Sequence, residues 1–168
     1  TVISSDNHLD YRVWSARHSL WGDSYYSFEQ TIDFCCERNL PLVLAGDVLD
    51  KTRPEPYTIA ILKQNIDRLV KQQLTIAYTQ GQHELDRTMP WLSALSGWPI
   101  HIHRKRISIS SGPVMYGIDW QPIDLIQEEL ENIPPNVDIL VCHQVWRDFM
   151  SKVVNDTECA FADVPAHI

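Results

Sequence analysis

The sequence contains no uninterrupted apolar run of about 18 residues, the length that a helix needs to cross a membrane. It also has no basic stretch followed by an apolar one near its first residues, the pattern that marks a secretory signal peptide. We therefore expect a cytoplasmic protein that has no membrane among its partners.

Cysteine is scarce, and its placement argues against the usual cysteine-based sites. None of the four cysteines forms a C-x-x-C pair, which disfavours a zinc ribbon or a thiol redox motif. Cys35 and Cys36 are neighbours on a predicted helix and are not placed to bridge each other. Free thiols in a reducing compartment are the simplest interpretation.

Positive charge is also in short supply, since 14 lysines and arginines face 22 aspartates and glutamates and leave a net charge of −8. A domain that binds nucleic acid through charge alone should be basic. If this chain handles nucleic acid, metal ions must therefore supply the positive charge at the point of contact.

The composition is that of a folded domain. A chain of 168 residues with 44% hydrophobic and 21% charged residues fits one globular domain, which we place over residues 1–168. Apolar runs and helical periodicities alternate along it, which favours an α/β fold. The predicted strands cover residues 2–5, 42–45, 74–79, 99–103, 106–110, 113–117 and 137–142, and the predicted helices cover 25–39, a segment that begins at Pro54, 89–95 and 123–133.

The chain is organised around the stretch Leu42–Asp50, which has the pattern of a buried strand that ends in glycine and is followed by two carboxylates. Three other apolar stretches end in a similar way. The carboxyl ends of parallel strands line the crevice where α/β sheets place their sites. The polar residues at the four strand ends are Asp6 and His8, Asp47 and Asp50, Gln82, His83 and Glu84, and His143.

These residue types suit a metal centre, because carboxylate oxygen and imidazole nitrogen are good ligands for manganese, iron or zinc. Asp6 and His8 lie two apart beyond a strand and project to the same side, so they can chelate one ion. The two oxygens of Asp47 can bridge two ions, and two ions about 4 Å apart activate a water and neutralise phosphate charge. Each motif alone is an ordinary turn pattern, and the four together carry the prediction.

The same segments resemble, in order and spacing over roughly residues 2–145, the motifs of the calcineurin-like metallophosphoesterases. The family patterns are D-x-H, G-D-x-x-D, G-N-H-[DE] and a later strand-end histidine, and this chain has Ser5–Asp10, Gly46–Asp50, Gly81–Glu84 and Cys142–Gln144. The L-D after the first motif, the T-R-P after the second, the Y-G-I-x-W segment and the H-Q pair look most like SbcD-type DNA repair nucleases.

The resemblance implies a four-layer α/β/β/α sandwich and a centre of two divalent ions, Mn²⁺ first, with Zn²⁺, Fe²⁺ or Mg²⁺ as alternatives. Asp6 and His8 would hold the first ion, and Asp47 would bridge the two. Gln82 and His143 would hold the second. Such a centre hydrolyses a phosphodiester through a metal-bridging hydroxide, without a covalent enzyme intermediate.

Two catalytic roles follow from the same resemblance. His83 would lie over the scissile phosphate and stabilise the transition state or protonate the leaving oxygen, and Asp50 would orient it. DNA would be the substrate, and an SMC-like ATPase subunit and a second copy of the chain would be the protein partners.

The chain departs from the family pattern at two points. Gln82 stands where the family has asparagine, so its amide oxygen has one more methylene to place. The last family motif, G-H-x-H, should follow His143 and is absent, so we expect the fold to lack its C-terminal part in this chain. The H-x-H of His101 and His103 precedes His143 and is not expected to replace that motif.

Two other interpretations stay open. One is a protein phosphatase or nucleotide phosphodiesterase of the same family, because Glu84 gives the G-x-H-E form of phosphatases. Against it, Lys51-Thr52-Arg53 replaces the R-G that phosphatases carry at that point. The other is a degenerate, non-catalytic binding scaffold, which Gln82 and the missing G-H-x-H would fit.

Overall fold

Two β-sheets frame the structure, a computed structural model that describes residues 1–11, 22–109 and 111–146. The strands in these residues are β1 (Val2–Ser4), β2 (Leu42–Ala45), β3 (Ile76–Thr79), β4 (Ile100–His101), β5 (Arg106–Ser108), β6 (Val114–Ile118) and β7 (Ile139–Cys142). Strands β1 to β4 form a parallel sheet in that order. In the second sheet β5 pairs antiparallel with β6, and β6 pairs parallel with β7.

Four helices lie in the same part of the chain, α1 (Asp23–Arg38), α2 (Pro56–Lys71), α3 (Trp91–Leu95) and α4 (Ile123–Glu131). The second begins at Pro56, two residues later than predicted, because a proline at the first helical position loses no hydrogen bond and has a suitable φ. The first ends at Arg38, and the left-handed φ of 53° at the next residue, Asn39, turns the chain toward β2.

The strand side chains divide among three cores. The first lies between the parallel sheet and helices α1 and α2, and contains Leu42, Leu44, Ile76 and Tyr78 with Phe28, Ile32, Leu62 and Ile66. The second lies between the two sheets, and contains Val43, Ala77, Met115 and Val141. The third packs Tyr116 and Ile118 against Ile126 and Leu130 of α4. The fold is therefore a mixed α/β arrangement of two sheets between helices, which is compatible with an α/β sandwich.

The predicted elements differ from the observed ones only at their ends. The strand predicted over residues 74–79 begins at Ile76. Leu74 instead belongs to the turn that closes α2, because its backbone N–H donates to the carbonyl of Leu69 at 3.0 Å. Such helix-closing turns depend on backbone conformation and leave little trace in the pattern of apolar residues.

Within the described ranges, none of the helices has the length and apolar character that a membrane span requires. The single domain over residues 1–168 and the missing C-terminal part stay predictions. Residues 12–21, 110 and 147–168 lie outside the part of the chain that the structure describes.

Candidate metal centre

The candidate site lies at the carboxyl edge of both sheets. Its side chains come from four strand ends, with Asp6 and His8 after β1, Asp47 and Asp50 after β2, His83 after β3 and His143 after β7. Because β1, β2 and β3 are parallel neighbours, their following loops emerge side by side. The β7 loop reaches the same place from the second sheet.

The loops that carry the site have an unusual backbone. Asp6, His8 and Asp47 all have positive φ, at 54°, 42° and 51°, which is uncommon for residues other than glycine. Hydrogen bonds hold the first two loops together, from Asp6 N to Gly46 O at 3.1 Å and from His8 N to Asp47 O at 2.9 Å. Strained backbone of this kind concentrates at functional sites.

Two glycines allow the loops to approach one another. A Cβ on Gly46 would lie 2.5 Å from the Cβ of His143, and the φ of this glycine is +86°. A Cβ on Gly81 would overlap both the carboxylate and the backbone nitrogen of Asp47. No larger residue fits at either position without moving a candidate ligand, so the two glycines set the spacing of the site.

Three imidazoles converge on one buried carboxylate oxygen. The Nε2 atoms of His8, His83 and His143 lie 3.7, 3.9 and 3.1 Å from Asp47 Oδ2. The Asp47 side chain is 1% exposed, and its Oδ2 accepts no hydrogen bond from the described residues. A buried acceptor left unsatisfied costs about 1–3 kcal/mol. A cation bound to this oxygen would satisfy it.

Each imidazole is held through its other nitrogen. Nδ1 of His8 lies 3.2 Å from Asp50 Oδ1, Nδ1 of His83 lies 3.0 Å from the Asp50 carbonyl, and Nδ1 of His143 lies 3.1 Å from the Ala45 carbonyl. All three partners are acceptors, so each ring carries a proton on Nδ1, and in its neutral form the lone pair is on Nε2. Metal-binding histidines are oriented in this way.

The candidate ligands fall into two groups that share Asp47. One group is His8, Asp47 and His83, the other is Asp6, Asp47 and His143, and the ligand atoms within each group lie within 4.8 Å of one another. His8 Nε2 is also 3.8 Å from Asp6 Oδ1, so the trio predicted for the first ion is together as well. These His/Asp groups could hold a metal ion, and their donor atoms suit manganese, iron or zinc.

The Asp47 carboxylate and the His143 ring each shift the pKa of the other toward the charged form. Burial raises the pKa of Asp47, but the His143 ring and the His83 backbone N–H outweigh burial and hold it below its usual range. Burial lowers the pKa of His143, but the neighbouring Asp47 carboxylate outweighs it, and the pKa is raised. The buried carboxylate thus stays ionised, which is the form that binds a cation.

The contacts of two residues, Gln82 and Asp50, differ from those that the sequence analysis expects. Gln82 is exposed, and its side chain makes no hydrogen bond to a described residue, so its role as a ligand stays a prediction. The Asp50 carboxylate lies nearer to His8 than to His83, at 3.2 against 3.8 Å. The backbone carbonyl of Asp50, rather than its carboxylate, is what orients His83.

Sequence reasoning gave no structural role to Glu84, although it named this residue at a strand end. Its carboxylate is buried and accepts the backbone N–H of Leu49 at 2.6 Å and that of Gly81 at 3.4 Å. Burial raises its pKa to about 7. Glu84 therefore links the β2 loop to the β3 loop. In the sequence, only its position next to His83 pointed to a role at the site.

The H-x-H segment lies apart from the two ligand groups. His101 Nε2 is 2.8 Å from the Asp119 carboxylate, and His103 Nδ1 accepts the Asp119 backbone N–H at 3.1 Å. Neither histidine belongs to a group that could hold a metal ion in the described part of the chain. That the segment supplies no ligand stays a prediction.

Comparison with known proteins adds nothing to these observations. The chain matches no protein-family model, and a search of curated proteins finds no match. What bears on function is therefore the geometry of the centre and the motifs that build it.

Proposed function

We propose that the protein is a metal-dependent phosphodiester hydrolase, with DNA as its substrate and the SbcD-type nucleases as its nearest resemblance. The observation that carries the proposal is the convergence of three imidazole Nε2 atoms on the unsatisfied Oδ2 of Asp47. Four motifs in family order supply the reaction class, because a centre of this composition is suited to phosphate chemistry.

Asp6, His8, Asp47 and His143 would hold the metal ions. Bound divalent ions, with Mn²⁺ the first choice, supply a nucleophilic water at neutral pH and positive charge against the phosphate oxygens. The protein's own contribution is to fix the ligands, since Asp50 and the Ala45 carbonyl hold the rings of His8 and His143 in place.

His83 is the proposed general acid. Its side chain is 40% exposed, against 23% for His8, so it lies toward the mouth of the site. The Asp50 carbonyl accepts from its Nδ1 at 3.0 Å, and the Asp50 carboxylate lies 3.8 Å from the same nitrogen. In the doubly protonated form of this ring, the proton on Nε2 would be delivered to the leaving oxygen.

The net negative charge of the chain is compatible with a DNA substrate if contact is made through metal ions. A net charge of −8 works against binding a polyanion over a wide surface. Contact through metal ions and a few local donors avoids this repulsion. An SMC-like ATPase subunit and a second copy of the chain remain proposed partners that come with the resemblance alone.

Glu84 no longer favours a protein phosphatase. Its carboxylate accepts two backbone N–H groups that join two loops, so its presence has a structural explanation that is independent of substrate. The scaffold alternative would have to leave the buried Asp47 Oδ2 without a cation. Metal binding is the simpler account of that oxygen.

The test is hydrolysis by the manganese-loaded protein and by an Asp47→Ala variant. The matched control is Asp67→Ala, which changes an aspartate whose side chain is 42% exposed. Substrates are single- and double-stranded DNA, bis(4-nitrophenyl) phosphate and a phosphopeptide. We expect DNA cleavage that Asp47→Ala lowers by about 100-fold or more and Asp67→Ala leaves intact. Cleavage of the phosphopeptide alone, or no loss in Asp47→Ala, would contradict the proposal.

A further inference from the structure

A second pocket lies beside the metal centre, at the carboxyl ends of β3, β4 and β6. Its volume is about 400 Å³, and its polar lining includes Arg87, His101, His103, Arg104 and Gln121. It shares no residue with the two candidate ligand groups. The kind of ligand that this pocket could bind is therefore inferred from its own side chains.

The carboxylates of this pocket already have partners. Asp119 is 4% exposed, and it accepts from the backbone and side-chain nitrogens of Gln80, at 2.8 and 3.1 Å, and faces His101 Nε2. Asp86 accepts from the backbone N–H and the hydroxyl of Thr88, at 2.8 and 2.6 Å. Three of the four oxygen atoms of these two carboxylates thus already face donors of the protein itself.

Several donors, in contrast, remain available to a ligand. Arg87 is exposed and forms no ion pair or hydrogen bond with the described residues. The Nε and Nη2 atoms of Arg104 bind Glu129, which leaves Nη1. Gln121 as a whole residue is 7% exposed, and its side-chain amide likewise bonds to no side chain or backbone group in the described ranges.

His103 adds a neutral donor to this set. Its Nδ1 accepts the backbone N–H of Asp119 at 3.1 Å, so its ring proton lies on Nε2. Burial lowers the pKa of His103, which keeps the ring neutral near pH 7. Two guanidinium groups, one imidazole N–H and one amide make the pocket a site for an anion with several acceptor oxygens, and arginine in particular matches a phosphate.

The pocket and the metal centre are joined by their loops. Gln80, in the pocket wall, lies three residues before His83, and three residues of extended chain span at most about 11 Å. The Gln144 side chain, next to His143, donates to the carbonyl of Gln121 at 2.6 Å. A nucleic-acid strand advances about 3.4 Å per phosphate along its axis, so two or three nucleotides bridge the two places.

We propose that this pocket binds a non-scissile phosphate of a nucleic-acid strand whose scissile phosphate lies at the metal centre. The inference rests on the proposed function and narrows its substrate. The chain acts on strands of about three nucleotides or more in preference to mononucleotides or phosphopeptides. Specific local donors then replace the broad basic surface that the sequence lacks.

The experiment compares the manganese-loaded wild-type protein with Arg87→Ala, a change at an exposed side chain that leaves the core untouched. Arg106→Ala is the control, because it removes the same charge from an exposed position on β5 outside the pocket. The two substrates are a DNA hexanucleotide and bis(4-nitrophenyl) phosphate. We expect kcat/KM for the hexanucleotide to fall about tenfold more in Arg87→Ala than kcat/KM for the small diester.

Binding gives an independent readout. With Ca²⁺ in place of Mn²⁺, fluorescence anisotropy of a labelled hexanucleotide should show a Kd about tenfold weaker for Arg87→Ala and no change for Arg106→Ala. Equal affinity of Arg87→Ala and the wild type, or equal losses on both substrates, would overturn the proposal. If the wild type cleaves neither substrate, the proposed function fails, and the Kd comparison still decides whether the pocket binds the strand.

Discussion

The two oxygens of Asp47 have different surroundings, and this difference defines the site at the scale of single residues. Oδ1 accepts the backbone N–H of His83 at 3.0 Å, whereas Oδ2 faces three imidazoles without a hydrogen bond from the described residues. One oxygen thus fixes the β3 loop, and the other is left for a ligand. The sequence predicts the carboxylate as a bridge, but only the structure separates these two tasks.

Gly81→Ala tests how closely the loops must approach. The new Cβ would overlap the carboxylate and backbone of Asp47, so we expect a loss of about 3 kcal/mol or more in unfolding free energy. The matched control is Gly97→Ala, because a Cβ at Gly97 meets nothing within 4 Å. Urea unfolding measures the stability of both variants. Equal stability would show that Gly81 does not lie as close to Asp47 as the structure places it.

Asp119→Asn tests the buried partner of Gln80 and His101. Burial raises the pKa of Asp119, but the His101 ring and the Gln80 donors outweigh it and hold the pKa below its ordinary value. An aspartate with a lowered folded pKa stabilises the fold above its unfolded pKa of about 4, and this contribution is lost as pH falls through the folded pKa. We therefore expect Asp119→Asn to destabilise the protein by about 1–3 kcal/mol at pH 7.

The difference in unfolding free energy between the wild type and Asp119→Asn should shrink as the pH falls below about 4. Urea titrations at several pH values measure it. Asp67→Asn is the reference, since Asp67 is exposed and pairs with Lys63 one helical turn away. A difference that stays constant across the acid range would count against an ionised Asp119.

At the scale of elements, the carboxyl ends of the strands could be predicted and the orientation of the histidines could not. An uninterrupted apolar run at residues 42–45 predicts a strand covered on both faces, and β2 has Leu44 in the helix-side core and Val43 between the sheets. The groups that orient His83 and His143 are backbone carbonyls of Asp50 and Ala45. Every residue has a carbonyl, so sequence cannot tell which one faces a ring.

Two alanine substitutions test how completely the side chains of the strands are buried. Leu44 is fully buried in the centre of the parallel sheet, and Ile3 on the edge strand β1 is 53% exposed. We expect Leu44→Ala to cost about 2–5 kcal/mol of unfolding free energy and Ile3→Ala no more than about 0.5 kcal/mol. Chemical denaturation gives both values. Similar losses at the two positions would mean that β1 is covered as thoroughly as β2.

At the scale of the whole molecule, the alternation of strands and helices was enough to predict an α/β fold, whereas the expectation of two sheets came from the family resemblance alone. The site needs more than this alternation. It depends on two sheets meeting at one edge, because Asp6 and Asp47 come from the first sheet and His143 comes from the second. Contacts between residues so far apart in the chain follow from packing of the layers, which local sequence patterns do not specify.

The central claim is that this edge holds metal ions through Asp47. The most direct measurement is elemental analysis of the purified chain and of Asp47→Ala after manganese loading and removal of free metal. The two ligand groups share Asp47, so the account predicts about two ions per wild-type chain and the loss of both in the variant. A wild-type chain without bound metal, or an Asp47→Ala chain that keeps its full complement, would contradict it.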